Sequence, residues 1–228
     1  MLVIADIHGN LDALDKVLDV AGEVDKVLCI GDIVGYGAQP NESVDRVKDL
    51  KAVTVMGNHD LVAITNKVDG FNRYAVEAIH WTFNQLSISS KTYLANLPAR
   101  MELNIEGHNI YLVHGSPDKP LTEYVYPPTA SDTRIHHFLD LTQADILILG
   151  HTHIPFGLNI GERLIFNPGS VGQPRDNDPR ASYAILEIVG DKVNVIISRV
   201  SYDIEQAATR IKEAKLPSIL AERLFKGL

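Results

Sequence analysis

Seven oxygen-bearing or imidazole side chains in this 228-residue chain each close a hydrophobic, strand-like run, and no other feature constrains the fold as much. Asp6 and His8 lie at the end of Val3-Ile4-Ala5-Asp6-Ile7-His8-Gly9, and Asp32 ends Leu28-Cys29-Ile30-Gly31-Asp32. Asn58 follows Val55-Met56-Gly57, and His114 follows Ile110-Tyr111-Leu112-Val113. His151 and His153 complete the set in Ile148-Leu149-Gly150-His151-Thr152-His153. In open α/β sheets, ligands bind outside the carboxyl ends of the strands. Side chains of this kind at successive strand ends therefore predict one site that collects them. Several of the motifs are followed by Gly, which lets backbone approach a ligand without a Cβ clash.

Asp, His and Asn are hard and borderline donors, suited to Mn, Fe, Zn, Ni or Co, with Mn favoured here. One ion takes roughly four to six ligands, and a catalytic ion keeps a position open for water. Seven protein ligands plus open positions exceed one ion, so the count predicts two divalent ions. Two ions about 3.5–4 Å apart need a shared bridge, and a carboxylate serves well. The single cysteine, Cys29, sits inside an apolar run and adds no thiolate.

The order Asp-x-His, Gly-Asp, Gly-Asn-His-Asp, a lone His after a strand, and Gly-His-Thr-His resembles the calcineurin-like metallophosphoesterases, from Asp6 to about Asp176. The resemblance implies that Asp6, His8, Asp32 and His153 hold the first metal. It implies that Asp32 bridges to a second, held by Asn58, His114 and His151. It also implies that His59 is the proton donor and Asp60 the carboxylate that orients it. Read locally, the alternative is that Asp60 caps the segment that follows.

Arg175 follows the Gly/Pro loop Asn167-Pro168-Gly169-Ser170-Val171-Gly172-Gln173-Pro174, which resembles a recurring loop of the family. It reads as a phosphate grip, because a guanidinium fork matches phosphate geometry, or as an ion-pair partner of Asp176 or Asp178. Tyr36, in Gly31-Asp32-Ile33-Val34-Gly35-Tyr36-Gly37, joins it as a substrate-binding residue. Protein Ser/Thr phosphatases of the superfamily carry an arginine where Tyr36 stands, which weighs against phosphoprotein substrates. Small bacterial and archaeal members share Gly-Asp-Ile-Val-Gly-Tyr-Gly and Asn-Pro-Gly-Ser-Val-Gly-Gln-Pro-Arg. They include phosphodiesterases and, in some cases, diadenosine tetraphosphate hydrolases.

The strand–helix rhythm predicts strands at 1–5, 26–30 and 52–56, with helices after Asn10 and at 41–50. Such a βαβαβ unit makes parallel strands. A helix at 71–86 is expected to bury His80 in the core or an interface. Strands at 101–105 and 109–113 flank a turn that contains His108. A helix near 131–140 presents His136 and His137 to solvent and leads to a strand at 145–149. Short strands at 156–160, 163–166, 181–188 and 191–198 suggest antiparallel pairing. The expected architecture is a single α/β domain over 1–228, a four-layer αββα sandwich of two mixed sheets flanked by helices. Segment 115–130 reads as an ordered loop whose Tyr124 and Tyr126 either stack on a substrate group or pack.

Apolar residues form 45% of the chain and charged residues 22%, which is ordinary globular composition. One cysteine fits a reducing compartment, no signal peptide is recognisable, and no run reaches the roughly 18 apolar residues of a membrane helix. A cytoplasmic address is expected. The net charge of −8 argues against long nucleic acid as partner, although two divalent ions would make the site itself positive. A small phosphoester is the expected partner, and a homo-oligomer is compatible with the chain. The expected reaction is hydrolysis of a phosphodiester, nucleotide or dinucleoside polyphosphate by metal-activated hydroxide. A non-catalytic scaffold of the same fold, a protein phosphatase and a nuclease are the rivals; the full ligand set together with His59 favours the enzyme.

Overall fold

The computed structural model describes residues 1–228. The first sheet grows from β1 (Leu2–Ile4), β2 (Val27–Cys29) and β3 (Val53–Thr54), which run parallel with Leu2 opposite Val27 and Leu28 opposite Val53. Their crossovers are α1 (Leu11–Ala21) and α2 (Pro40–Asp49). α1 starts where the Asn10 side chain accepts the Ala13 N–H at 3.2 Å, and it buries Ala13, Leu14 and Val17. Next come α3 (Asn58–Thr65), α4 (Arg73–Gln85) and α5 (Ile88–Ala95).

The second sheet begins with the hairpin β4 (Arg100–Ile105) and β5 (His108–Val113), then α6 (Thr133–Thr142), β6 (Ile146–Ile148), β7 (Phe156–Ile160) and β8 (Arg163–Asn167). β9 (Ala181–Val189) and β10 (Lys192–Val200) return to the first sheet, and α7 (Ile204–Glu213) and α8 (Ser218–Leu224) follow. The strand orders are β10-β9-β1-β2-β3 and β4-β5-β6-β8-β7. β7–β8 and β9–β10 pair antiparallel as expected, while β8 also joins β6 in parallel.

Alternation along each strand builds the layers. Val3, Leu28, Ile30 and Val55 meet Leu112, Ile146, Ile148 and Phe166 between the sheets. The alternate residues Leu2, Ile4 and Cys29 pack under Leu14, Val17, Val44 and Val47 of the helices. Tyr111, Val113, Leu147 and Leu149 pack on Ile135, Phe138 and Leu139 of α6. The result is the expected helix–sheet–sheet–helix sandwich. Both faces of the central strands are covered, so they read as unbroken apolar runs, and each buried Leu or Ile contributes roughly 1.5–3 kcal/mol.

The structure departs from the sequence reading at several elements. β3 is shorter than the 52–56 run, because the Met56 N–H turns to the Pro98 carbonyl at 2.7 Å. His80 is not buried: the buried stripe of α4 is Ala75, Ala78, Ile79 and Thr82, and His80 falls outside it, 2.6 Å from Asn66 Oδ1. α3, α5, α7 and α8 have no counterpart in the sequence reading. α7 and α8 pack with α3 and α4 around Val62, Ala78, Ile79, Ile211, Leu220 and Leu224, which brings residues 201–228 beside the strand ends. No helix is long and apolar enough to cross a membrane.

Candidate metal centre and active site

The chain leaves β1, β2, β3, β5 and β6 at one edge of the sandwich, and the seven expected ligands meet there. The backbone must turn sharply to make this possible. Asp6, His8, Asp32, His151 and His153 all adopt left-handed conformations, with φ between +52° and +68°. Each such residue costs on the order of 1 kcal/mol or more and persists only where its surroundings over-determine it. Here the Asp6 N–H donates to Gly31 O at 3.0 Å, the His8 N–H to Asp32 O at 2.9 Å, and the Gly172 N–H to Asp6 O at 3.0 Å. Glycine is required at two neighbouring points. A Cβ on Gly57 would overlap the Asp32 carboxylate, and one on Gly35 would press on the His8 and His59 rings.

Hydrogen bonds at the outer nitrogen of three rings fix where their inner lone pairs point. His8 donates Nδ1–H to Val34 O at 3.2 Å, His114 to Ile30 O at 2.7 Å, and His153 to Gln173 O at 2.5 Å. A carbonyl can only accept, so Nδ1 carries a proton in all three rings, and in its neutral form each ring aims a bare Nε2 inward. His8 Nε2 and His153 Nε2 face each other at 3.1 Å, and His153 Nε2 lies 3.3 Å from Asp6 Oδ1. His114 Nε2 lies 3.3 Å from Asp32 Oδ2, 3.0 Å from Asn58 Oδ1 and 3.1 Å from His151 Nδ1. Asp6 Oδ1 and Asp32 Oδ2 are buried without any hydrogen-bond donor. Converging acceptors repel unless a cation lies among them.

The acceptors form two groups, Asp6–His8–Asp32–His153 and Asp32–His114–His151, with ligand atoms in each within 4.8 Å of one another. Asp32 belongs to both. Nitrogen and carboxylate donors without thiolate suit a first-row divalent ion, and imidazoles braced on backbone carbonyls are the usual support for one. The two imidazoles of the first group take no second proton, because burial drives His8 and His153 well below the ordinary imidazole pKa. In the second group burial opposes an imidazolium at His114, but Asp32 and Asp6 outweigh it and hold the ring up to about 9. Burial pushes the Asp6 carboxyl up to about 8.

His59 sits at the rim, its ring centroid 4.8 Å from His8, 4.6 Å from Tyr36 and 5.1 Å from Phe71. Its backbone N–H donates to Asp32 Oδ1 at 2.8 Å, and its ring Nδ1 has no partner. Burial lowers its pKa to about 4. A cleft of about 530 Å³ opens beside it, bordered by Tyr36, Asn58, His59, Tyr124, His151 and Arg175 among others. Tyr124 stacks on His151 with centroids 3.9 Å apart, and Tyr126 stacks outside it at 6.1 Å.

The family model described as "Calcineurin-like phosphoesterase superfamily domain" matches residues 1–191. The chain belongs to this superfamily. It is 38% identical to an uncharacterized protein of Methanocaldococcus jannaschii, over 99% of this chain and 97% of that one. It is 25% identical to the phosphodiesterase YfcE of Escherichia coli, over 86% and 90% of the two chains. The crystal structure of a metallophosphoesterase from Sphaerobacter thermophilus superposes with a TM-score of 0.86 at 38% identity, covering 100% of this chain and 98% of that one. The protein is accordingly a metallophosphoesterase, a hydrolase of the calcineurin-like type, and divalent metal binding goes with the family.

Two expectations about this phosphoesterase change with the geometry. Asp60 makes no hydrogen bond to the His59 ring, whose Nδ1 has no partner. It is the third residue of α3, and its oxygens accept the Gly57 N–H at 3.0 Å and the Val34 N–H at 3.2 Å. The cap reading is the one realised, because a carboxylate there satisfies N–H groups that the first helical turn leaves unpaired. Arg175 forms no ion pair with its neighbours: Asp176 pairs with Arg199 and Asp178 with Arg180. Its guanidinium contacts Tyr36 Oη at 3.3 Å and Gln173 Oε1 at 2.9 Å.

The other histidines stay away from the phosphoesterase centre. His80 pairs with Asn66, His108 with the Gly190 carbonyl, His136 with the Ala130 carbonyl, and His137 with Asp118. Phe71, Arg223 and Leu228 also line the cleft, and no motif marks them. Only an amphipathic reading of the last 25 or so residues, by helical periodicity, could have drawn attention to α8.

Proposed function

We propose that the whole chain works as one domain that hydrolyses phosphodiester or polyphosphate bonds in nucleotide-type substrates, with two divalent ions in the cage. Asp6, His8, Asp32 and His153 would hold the first ion, and Asn58, His114 and His151 the second, with Asp32 shared. Manganese is favoured, and iron, zinc, nickel and cobalt suit the same donors. When bound, such ions supply Lewis acidity that lowers the pKa of water and neutralises phosphoryl charge. The observation that carries this reading is the pair of facing Nε2 lone pairs on His8 and His153, 3.1 Å apart with their other nitrogens already committed.

The remaining roles fall to residues around the cleft. His59 protonates the departing oxygen, for which an anionic substrate must favour its imidazolium against burial. Arg175 grips a non-bridging oxygen, and the Tyr36 hydroxyl steadies that guanidinium. Tyr124 offers a ring face to a base or aromatic leaving group. A diester needs less neutralisation than a dianionic monoester, and Tyr36 stands where protein phosphatases of the superfamily carry an arginine. The likeness to the phosphodiesterase YfcE supports the diester reading.

The test is a panel of phosphate esters with matched leaving groups, assayed on protein reconstituted with Mn and analysed for metal. Near two ions per chain and a higher kcat/KM for diesters or dinucleoside polyphosphates than for phosphoserine peptides are expected. Preference for the phosphopeptide overturns the substrate class, and two bound ions with no turnover of any ester leaves a metal-binding scaffold.

A further inference from the structure

The cleft does not end at Arg175. A second cavity, of about 490 Å³, lies against α8 and is lined by Arg175, Ile219, Glu222, Arg223, Lys226 and Leu228. Arg175, Arg223 and Leu228 line both cavities, so the path from the cage continues along the C-terminal helix. Six of the ten arginines, Arg46, Arg134, Arg163, Arg180, Arg199 and Arg210, pair with a carboxylate, and of the other four, Arg175 and Arg223 are the two that line the cleft. Arg175 contacts only neutral groups, and neither Arg223 nor Lys226 makes any side-chain hydrogen bond or ion pair. Arg223 is half-buried. Burial raises the Tyr36 hydroxyl pKa, and the charges of Arg175 and Arg223 both pull against that rise. Exposed Asp69 and Glu222 stand on the rims of the two cavities without pairing with either arginine.

A half-buried guanidinium without a counter-ion is costly, and one that faces a substrate cleft gains its partner when an anion binds. We propose that Arg223, together with Arg175, forms a second anion subsite beside the cage, extended outward by Lys226, that receives a phosphate next to the scissile one. This rests on the phosphoester reading above and narrows it. Adjacent phosphates in a polyphosphate share an oxygen, so a second anion necessarily lies beside the first. An isolated diester has no such group, and successive phosphates of a nucleic acid are separated by a sugar. The substrate class is therefore nucleoside or dinucleoside polyphosphates, with Phe71 and Tyr124 lining the same cleft as faces for a base.

The experiment has two arms, both on Mn-loaded protein. In the first, calorimetry compares methylenediphosphonate, whose P–C–P link resists hydrolysis, with methylphosphonate. The wild type should favour the diphosphonate by about 10-fold or more, Arg223→Ala should lose most of that preference, and Arg223→Lys should keep part of it. In the second, kcat/KM for a dinucleoside tetraphosphate is divided by that for bis(p-nitrophenyl) phosphate, and Arg223→Ala should lower the ratio by about 10-fold. A thermal melt and the retained metal content show that the variants fold. A preference that survives Arg223→Ala, an unchanged ratio, or faster cleavage of a trinucleotide than of the tetraphosphate overturns the subsite. A diphosphonate preference that depends on Arg223 in a protein that cleaves no ester upholds the subsite and defeats the catalytic reading.

Discussion

The two halves of the cage use the same kinds of side chain but are held differently. Asp6, His8, Asp32 and His153 are buried, and both imidazoles are locked onto the carbonyls of Val34 and Gln173. The other half has one locked ring, His114 on Ile30. Its remaining members are Asn58, half-buried on the first turn of α3, and His151, whose Nε2 has no partner and whose ring is covered by Tyr124. Bracing a ring through its second nitrogen sets the lone-pair direction before any ion arrives. The half that faces the cleft gives up part of that preorganisation for access. The first ion should therefore bind tightly and the second more weakly, beside the substrate.

The sharpest way to break this comparison is at the shared residue. Asp32→Asn removes a ligand from both halves, so elemental analysis should show both ions lost and kcat/KM should fall by roughly 10³-fold or more. Retention of one tightly held ion would mean that Asp32 serves only one half. His59→Ala leaves both halves intact: metal content should stay, while turnover of esters with poor leaving groups drops by about 10²-fold and p-nitrophenyl esters suffer less. Equal losses for the two leaving groups, or loss of metal, would remove His59 from proton transfer.

Smaller effects separate the halves themselves. In Mn titrations the second dissociation constant should exceed the first by about 10–100-fold, the range attached to supporting hydrogen bonds. His151→Ala should abolish only the weaker event, and loss of the tighter one instead would reverse the ranking. Asp60→Ala should act on stability, since it orphans the Gly57 and Val34 N–H groups at roughly 1–3 kcal/mol for each. Urea unfolding would show this as a lower midpoint. If Asp60→Ala instead reproduced the leaving-group dependence of His59→Ala, direct orientation of the ring would be restored as its role.

Much of this arrangement was legible from local pattern. Apolar runs bounded by Gly and ligand residues mark the strand ends, because a strand covered on both faces has no polar side to disguise it. The Gly-Asp turn that joins β9 to β10 and the 3.6-residue period of α1 are equally local. Asn58-His59-Asp60 was harder, since one tripeptide carries a candidate ligand, a cleft residue and a helix start. Its ligand character hid α3 and the capping role of Asp60. His80 was misplaced because its helix has a narrow buried stripe, and which residue falls outside depends on how α4 rolls against α3, α7 and α8.

By itself the sequence determined which chemical groups could gather, in what number, and on which side of an α/β sandwich, because donor type and hydrophobic period are properties of short segments. Only the tertiary structure decided which ring nitrogen faces inward, because that depends on carbonyls of Ile30, Val34 and Gln173 far along the chain from the rings they fix. It also decided that Tyr124 covers His151 and that Arg223 reaches the cleft. Those neighbours are set by the packing of the 115–130 loop and α8 against distant elements, and no local period encodes a contact of that kind.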